Sequence, residues 1–516
     1  AARTVLLLAA LLATALAQGA LAQGNCPLSA TDGSFEVATR ADLAAIGQGC
    51  PLDGDYHLTQ DVDLSASDWV PIGWAPSEPD VEAFTGTLDG RSRTIEHLRI
   101  VGGVSQTDVI ARAGLFARLD GARVERLVFD NVAISATDAT TGVAGVGVVA
   151  GEVTGSTTQL DSVRVGPADV VRNDVDAGSV TDVTGLGGLI GVAAGDLEVT
   201  GTPEGPTSVV VDLTGNAARG VGGVVGMVDG ANVSLEGVGF LGQVDAVAQV
   251  GGLVGTVGTP TGSGTLTTSV ATAAANVFGD ADVGGAVGRV DGTVTIEEVQ
   301  VRNEETVATG RTVDTVDAVG GVIGRVASGS VVTLTSIDVG PSDAIRDADP
   351  NGLYAVSGTD FVGGAVGVVS AADVTMNDVR IENRLDVRGA DHVGGVVGMA
   401  VGASTLDADG LTVSATVSAT DNYVGGVIGE LGIIGDSSTS ATHNLRDVTT
   451  HADTTVRGVD NVGGIIGNVD DGVTLDLDGI ATGGTVYGED YVGGIAGEID
   501  DASTLSLSNA EARTHV

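Results

Sequence analysis

Three oxygen-bearing side chains in one short acidic segment come closest to forming a chemical site. Asp347, Asp349 and Asn351 stand at alternate positions, and Gly352 follows them. Oxygen ligands at the first, third and fifth positions, with glycine at the sixth, match the beginning of a calcium-binding loop. The glutamate that completes such a loop at the twelfth position is missing, because Gly358 stands there. The segment is a candidate calcium site, with an acidic, solvated turn as the alternative.

The motifs of other enzymatic chemistries are missing from the sequence. A zinc peptidase needs two histidines one helical turn apart with a glutamate between them, and no histidine here stands in that pattern. No serine nucleophile elbow and no phosphate-binding loop is found either. We therefore expect no catalysis and no cofactor other than calcium. The histidines are His57, His97, His392, His443, His451 and His515.

Two arginines supply the alternative enzymatic hypothesis. Arg289 and Arg325 each follow the last glycine of a repeated motif in neighbouring repeats, so they are expected to stack. Arginine beside clustered carboxylates would suit a polysaccharide lyase or hydrolase, because such sites bind acidic sugars and abstract a proton. Charge balance on an acidic surface is the simpler interpretation of the pair.

The charge of the chain excludes two classes of partner. Sixty-eight acidic residues against 23 basic ones give a net charge of −45, and no basic residue is lysine. Such a surface repels nucleic acid and anionic lipid. Three explanations of the acidity stay open: a high-salt environment, binding of divalent cations, or solubility alone.

A repeated glycine motif, V-G-G-x-x-G, organises most of the chain. Successive copies lie roughly 29 to 43 residues apart, which indicates a solenoid, a propeller or an array. Three short alternating β segments per repeat predict a right-handed parallel β-helix of about a dozen coils, and the 3% aromatic content disfavours a propeller. We expect the glycines to allow positive φ and close approach of the coils, but the inward phase of Val221 and Val224 stays open. The copies begin at Val221, Val250, Val283, Val319, Val362, Val393, Val424, Val462 and Val492, with diverged copies at Ala113, Val146 and Leu186.

The beginning of the chain differs from the repeats. Residues 1–22 resemble a secretory signal peptide, because one arginine precedes an apolar run that ends in small residues. Residues 23–64 are expected to form a cap with a disulfide between Cys26 and Cys50. Within the cap, Thr39 and Asp42 are spaced as a capping box for a short helix. Residues 65–516 are assigned to the repeats, and no long apolar segment predicts a membrane span.

The order of motifs resembles a region of bacterial surface proteins that carry the GLUG repeat. That region includes the segment upstream of the catalytic domain in IgA-specific metallopeptidases, and filamentous-haemagglutinin-like adhesins are similar. The resemblance implies a parallel β-helix and an exported, adhesin-like role, and it implies structural packing for Trp69 and Trp74. The sequence that usually follows the glycine motif in this family is replaced here by acidic, valine-rich segments, so no specific partner is implied. The matching motifs are Asp42-Leu43, Tyr56-x-Leu58, Asp61-Val62-Asp63-Leu64, Trp69-x-Pro71-Ile72-Gly73, Phe84-Thr85-Gly86-Thr87-Leu88-Asp89-Gly90, Ile95-x-x-Leu98-x-Ile100 and Gly114-Leu115-Phe116.

These observations predict a secreted or cell-surface interaction rod that is monomeric and displays loops to a partner. The partner would be a host, matrix or cell-surface protein or a glycan. Two related insertions, Val163–Gly178 and Ile337–Gly352, are candidate display loops, since solenoids place function on such insertions. The alternatives are the lyase or hydrolase, and a non-catalytic N-terminal region of a larger surface protein or peptidase.

Overall fold

The computed structural model describes residues 26–29, 32–74, 82–102, 112–136, 145–173, 185–201, 207–259, 263–302, 305–308, 318–341, 354–432 and 441–516. Residues 1–22, the candidate signal peptide, lie outside these ranges. So does the candidate calcium segment from Asp347 to Asn351. The last parts of both candidate display loops are likewise outside the described residues.

The chain forms a β-solenoid of parallel strands, which confirms the predicted fold class. One sheet, which we name sheet one, stacks twelve strands, and these follow the twelve copies of the glycine motif along the chain. At about 4.8 Å between neighbouring strands, this stack is about 53 Å long. Its strands are Phe116–Asp120, Ala150–Thr154, Ile190–Ala193, Val225–Val228, Val254–Val257, Val287–Val290, Ile323–Val326, Val366–Ser370, Val397–Val401, Ile428–Gly432, Ile466–Val469 and Ala496–Ile499.

The remaining strands form a second, 43-stranded sheet that wraps around the other sides of the coil, and we name it sheet two. All pairings between its named strands are parallel and most are in register. Its first strands are Phe35–Val37, Asp55–Leu58, Val62–Asp63, Thr87–Glu96, Arg99–Gly102, Arg112–Ala113, Arg123–Asp130, Ala133–Ala136, Gly145–Val146, Thr158–Asp161, Arg164–Asn173, Leu186–Gly187, Leu197–Thr200, Thr207–Gly222, Asn232–Glu236, Val238–Gly251, Thr265–Ser269, Thr272–Gly279, Ala281–Gly284, Thr293–Glu297, Gln300–Val301 and Glu305–Ala308. The others are Ala318–Gly320, Val331–Val339, Tyr354–Ser357, Phe361–Gly363, Asp373–Ile381, Leu385–Gly389, Val393–Gly394, Thr405–Asp409, Thr412–Val413, Thr416–Ala419, Val424–Gly425, Ala441–Arg446, Thr449–Thr450, Thr455–Arg457, Asp460–Gly463, Val473–Asp478, Ala481–Thr482, Thr485–Tyr487, Asp490–Gly493, Thr504–Ser508 and Glu511–Ala512.

The glycine motif is the corner at which the chain passes from sheet two to sheet one. In one copy, Gly222 ends a strand of sheet two and Val225 begins a strand of sheet one, with a bend between them. Val221, Val224 and Val225 are all fully buried. The sequence left open whether Val221 or Val224 points inward, and in the structure both do. The corner turns around the core, so residues before, within and after it can all point inward.

Close backbone packing explains why the corner needs glycine. A Cβ on Gly364 would lie 2.0 Å from the carbonyl oxygen of Gly395 in the next coil, and a Cβ on Gly395 would lie 2.0 Å from that of Gly426. Real Cβ atoms do not approach that closely. The expectation of positive φ is wrong for these glycines, which lie outside the left-handed region, while turn glycines such as Gly472 do adopt it, with φ of 81°.

A short helix and the disulfide close the N-terminal end. Helix α1, Arg40–Ala45, begins with the predicted capping box: the Thr39 hydroxyl accepts from the Asp42 N–H at 3.3 Å, and the Asp42 carboxylate accepts from the Thr39 N–H at 2.9 Å. Cys26 and Cys50 form a disulfide with 5.7 Å between their Cα atoms. No helix within the described ranges is long and apolar enough to cross a membrane.

We predict that Gly364→Ala destabilises the solenoid by about 3–5 kcal/mol, because the new methyl group meets a backbone carbonyl that cannot move without displacing a coil. The measurement is the midpoint of urea unfolding, since urea is uncharged and leaves the electrostatics of the chain unscreened. Gly239→Ala is the matched control. Its Cβ would meet nothing within 4 Å and its backbone φ is not positive, so we expect no loss of stability. Equal effects of the two substitutions would contradict the packing argument.

Candidate functional site

Two columns of side chains face each other across the glycine corner, and we name them together the corner ladder. The first column consists of the residues immediately before the first valine of the motif. Six of them that are not glycine adopt left-handed backbone conformations, which are uncommon for non-glycine residues and are enriched in asparagine, aspartate and histidine. They are Gln249, Asp282, His392, Tyr423, Asn461 and Tyr491, with φ between 49° and 59°.

The second column consists of outer residues of sheet one, two positions after the first residue of each strand. Pairing in register places each of these residues next to its equivalent in the neighbouring coils. The column runs in the order Arg118, Glu152, Val192, Met227, Thr256, Arg289, Arg325, Val368, Met399, Glu430, Asn468 and Glu498.

Arg289 and Arg325 stack in this second column, as the sequence predicted. Asp282, from the first column, joins them: it accepts from Arg289 Nη1 at 3.2 Å and from Arg325 Nε at 2.6 Å. Asp291 accepts from Arg289 Nε at 2.6 Å, and this hydrogen bond raises the pKa of the Arg289 guanidinium. Because two arginines and two aspartates compensate one another, the cluster binds the coils together across the corner.

A second polar group in the ladder surrounds Glu430. His392 Nε2 lies 2.7 Å from the Glu430 carboxylate, and the Asn468 amide donates to it at 3.3 Å. The His392 ring stacks between Phe361 and Tyr423, with centroid distances of 4.8 and 4.9 Å. Burial and the Glu430 charge raise the pKa of Tyr423. Two coils to the C-terminal side, Asn461 occupies the position equivalent to His392 and its amide donates to Glu498.

Where carboxylates stack on one another without an intervening arginine, the in-register pairing destabilises the folded chain. Asp470 and Asp500 occupy equivalent turns of adjacent coils. Partial burial, a hydrogen bond that the protonated Asp500 carboxyl donates to Asp470, and the charges of Glu498, Asp470 and Asp471 raise the pKa of Asp500 to about 6. A raised carboxyl pKa means that the charged form is disfavoured in the folded chain, so this stack opposes folding at neutral pH.

His443 is the one histidine of the described residues that lies wholly inside the solenoid. It is stacked between Leu406 and Leu475 on the inner face of sheet two and is 0% exposed. Neither ring nitrogen has a hydrogen-bond partner, and burial lowers the pKa to about 4. This burial could have been predicted from the sequence, since His443 occupies the alternating position that leucine occupies in both neighbouring coils.

The chemistry that the sequence proposed is only partly located by the structure. The arginine pair is brought together with carboxylates, whereas Asp347, Asp349 and Asn351 lie outside the described residues. Within the described ranges, no three His, Cys, Asp or Glu side chains are arranged to hold a metal ion. The sequence did not predict the pairing of the two ladder columns, because it involves the residue before each corner, which the motif itself does not include.

The protein belongs to the class of repeat proteins that form a rod. Its parallel β-solenoid has one end closed by a disulfide and a glycine corner that recurs along the chain. No family model matches the chain. A stretch of 166 residues, 30% of the chain, is 35% identical to halomucin of Haloquadratum walsbyi, and it covers 2% of that protein. No solved structure matches. The fold and this similarity are together consistent with a surface repeat protein, while the GLUG and IgA-peptidase resemblance stays a prediction.

We predict that Asp282→Asn lowers stability by about 2 kcal/mol, because it leaves two stacked guanidinium groups without their shared carboxylate. Asparagine tolerates the left-handed backbone, so the change removes charge alone. Urea midpoints at low salt are the measurement. Asp378→Asn is the matched control: Asp378 also has φ of 52°, but its pair with Arg380 is exposed and is expected to contribute less than about 0.5 kcal/mol. A loss no larger than that of the control would show that the cluster does not hold the coils.

We predict that His443→Leu removes a pH-dependent loss of stability between about pH 6.5 and pH 4. The ordinary pKa of 6.5 falls to about 4 on folding, so across this window the unfolded chain binds a proton that the folded chain does not. Stability is then lost as the pH falls, by about 3 kcal/mol at most, and no further below pH 4. The measurement is the difference in urea stability between wild type and variant against pH. The control is His451→Leu at an exposed position, and a difference independent of pH for His443→Leu would contradict the prediction.

Proposed function

We propose that this chain is an exported, monomeric display rod of adhesin-like type that presents its surface to a protein or glycan outside the cell and performs no catalysis. The observation that carries the proposal is the continuous parallel register of the twelve strands of sheet one, which makes a stiff body with many equivalent lateral positions. A disulfide between Cys26 and Cys50 supports an oxidising, extracellular location. Similarity to a stretch of halomucin supports surface exposure.

The high-salt explanation of the acidity is part of this proposal. The relative's name joins the words for salt and mucin, and the chain stacks carboxylates on one another at positions such as Asp470 and Asp500. Repulsion between exposed charges is largely screened at molar ionic strength, where the screening length is about 3 Å. Such a surface is therefore tolerated in brine, where it also keeps the rod soluble.

We predict that molar sodium or potassium chloride raises the melting temperature of residues 23–516 by several degrees, because it screens the net charge of −45. Circular dichroism at 0.1 M and at 2–3 M salt is the measurement. Millimolar calcium at low salt should add much less than molar salt does. A large rise with calcium alone that is lost in Asp347→Asn with Asp349→Asn would instead support the candidate calcium loop and count against the salt explanation.

Labelling of intact cells tests the display function itself. The rod should be reached by antibody and by added protease on unbroken cells in their growth medium, and immobilised rod should retain extracellular glycans or proteins. Restriction of the protein to the cell interior would overturn the proposal.

A polysaccharide lyase or hydrolase is the second candidate function, and the cluster of Arg289, Arg325, Asp282 and Asp291 is the observation that favours it. Incubation with acidic polysaccharides, followed by chain length and unsaturated ends, tests this alternative. Depolymerisation that is lost in Arg325→Gln would establish it and would remove the claim that the rod is non-catalytic.

A further inference from the structure

A cavity of about 400 Å³ lies at the N-terminal end, between helix α1 and the chain that follows the first coil. Trp69, Pro71 and Trp74 form one side, while Arg40 and Gln48 supply polar groups from the helical side. Its volume is in the range of small-molecule sites, and so is the combination of aromatic walls with a few polar side chains.

The aromatic wall is fixed on one side and accessible on the other. Trp69 is 2% exposed, and its indole N–H donates to the Leu115 carbonyl at 3.1 Å. The sequence prediction of a packing role is consistent with its burial. Trp74 is only half-buried, and the neighbouring Val70 is 53% exposed. The indole of Trp74 is thus accessible at the rim of the cavity. The buried Trp69 holds the aromatic wall in place.

Arg40 is the group that gives the cavity its charge. Its guanidinium carbon lies 5.6 Å from the centre of the Trp69 ring, and Nη2 donates to Ser67 Oγ at 2.7 Å and to the Asp68 carbonyl at 3.1 Å. The Nε atom is buried without a hydrogen-bond partner. A buried donor without a partner favours a ligand that brings an acceptor.

Most arginines in the described ranges are paired with a carboxylate, and Arg40 is one of the few that are not. Thirteen described arginines form ion pairs with aspartate or glutamate, whereas Arg40 forms none with a described carboxylate. An arginine that is paired with no described carboxylate keeps its charge available for an anion from outside the chain. Planar guanidinium groups match carboxylates in shape and charge.

From this arrangement we propose that the cavity binds an acidic saccharide, one or two sugar rings with a carboxylate of the uronic acid class. The indole face of Trp74 and the Pro71 ring contact the apolar face of a sugar, and Arg40 binds the carboxylate while Gln48 hydrogen-bonds a hydroxyl. The long-range repulsion between the acidic rod and an anionic ligand is screened in molar salt. The proposed site identifies acidic glycans as the partner class of the display function. It rests on that function only in one respect, which is that display outside the cell brings the rod into contact with glycans.

Tryptophan fluorescence tests the site directly, because the chain contains only two tryptophans and both line this cavity. Residues 23–516 in molar sodium chloride are titrated with digalacturonic acid and with its neutral counterpart, galactobiose. We expect a saturable change with the acid and at least tenfold weaker binding of the neutral sugar. A longer oligogalacturonide that binds no better than the disaccharide would show that the site recognises the end of a sugar chain. Binding that becomes tighter in proportion to length would show that the site recognises the interior of a polymer. Either result supports the site.

Matched variants separate binding from folding. Arg40→Gln should weaken the acid at least tenfold, and Trp74→Ala, followed by calorimetry, should weaken both sugars. Arg93→Gln changes an exposed arginine elsewhere and should leave binding unchanged. Melting temperatures confirm that each variant is folded, and Arg40→Lys, which keeps the charge, gives a second folded variant with intermediate affinity.

Three results would overturn the proposal: no saturable change with the acid, equal affinity for the neutral sugar, or unchanged affinity in Arg40→Gln. The result of the cell-surface labelling does not depend on any of these binding measurements. Failure of this site is therefore distinguishable from failure of the display function.

Discussion

In-register stacking of one coil on the next is the constraint on which this structure depends. Parallel pairing places each residue about 4.8 Å from its own equivalent in the neighbouring coil, as Val221 pairs with Val250 and Val250 with Val283. At the corner, the same register brings carbonyl oxygens to the point where a Cβ would stand, so glycine must recur in every coil. Whatever a position contributes, favourable or unfavourable, is therefore contributed once per coil.

The register explains how the charge is arranged. An apolar ladder gains from repetition, but a carboxylate ladder accumulates repulsion, which raises the pKa of Asp500 next to Asp470. The corner ladder avoids this by alternating types: Asp282 stands between two arginines, and Glu430 stands between a histidine and an amide. These groups are paired with one another across the corner, so their electrostatic role is to join sheet one to sheet two. An acidic surface outside the ladder is then left to the solvent, and ions there reduce the repulsion.

The sequence predicted those features that repeat or that have a local signature. Glycine spacing fixed the solenoid and the stacking of Arg289 on Arg325, and Thr39 with Asp42 marked the helix start. Features that depend on contacts across the corner could not be read in the same way. The residue before the motif is left-handed in six copies where it is not glycine, and it varies there from glutamine to tyrosine, so no pattern of residue types identifies it. Likewise, the role of the corner glycines is steric, and a motif cannot distinguish a missing Cβ from a positive φ.

Repetition also limits where a specific binding site can form. A ladder offers the same chemistry at many coils, which suits multivalent contact but does not define a single pocket. In this chain the disulfide, the helix and both tryptophans occur within the first 74 residues, where the repeat pattern is not yet established. There an aromatic wall and Arg40, which pairs with no described carboxylate, meet beside one cavity. The end of the solenoid must be closed by non-repeating structure in order to cover the core, and that same departure from the repeat allows side chains of different kinds to be brought together.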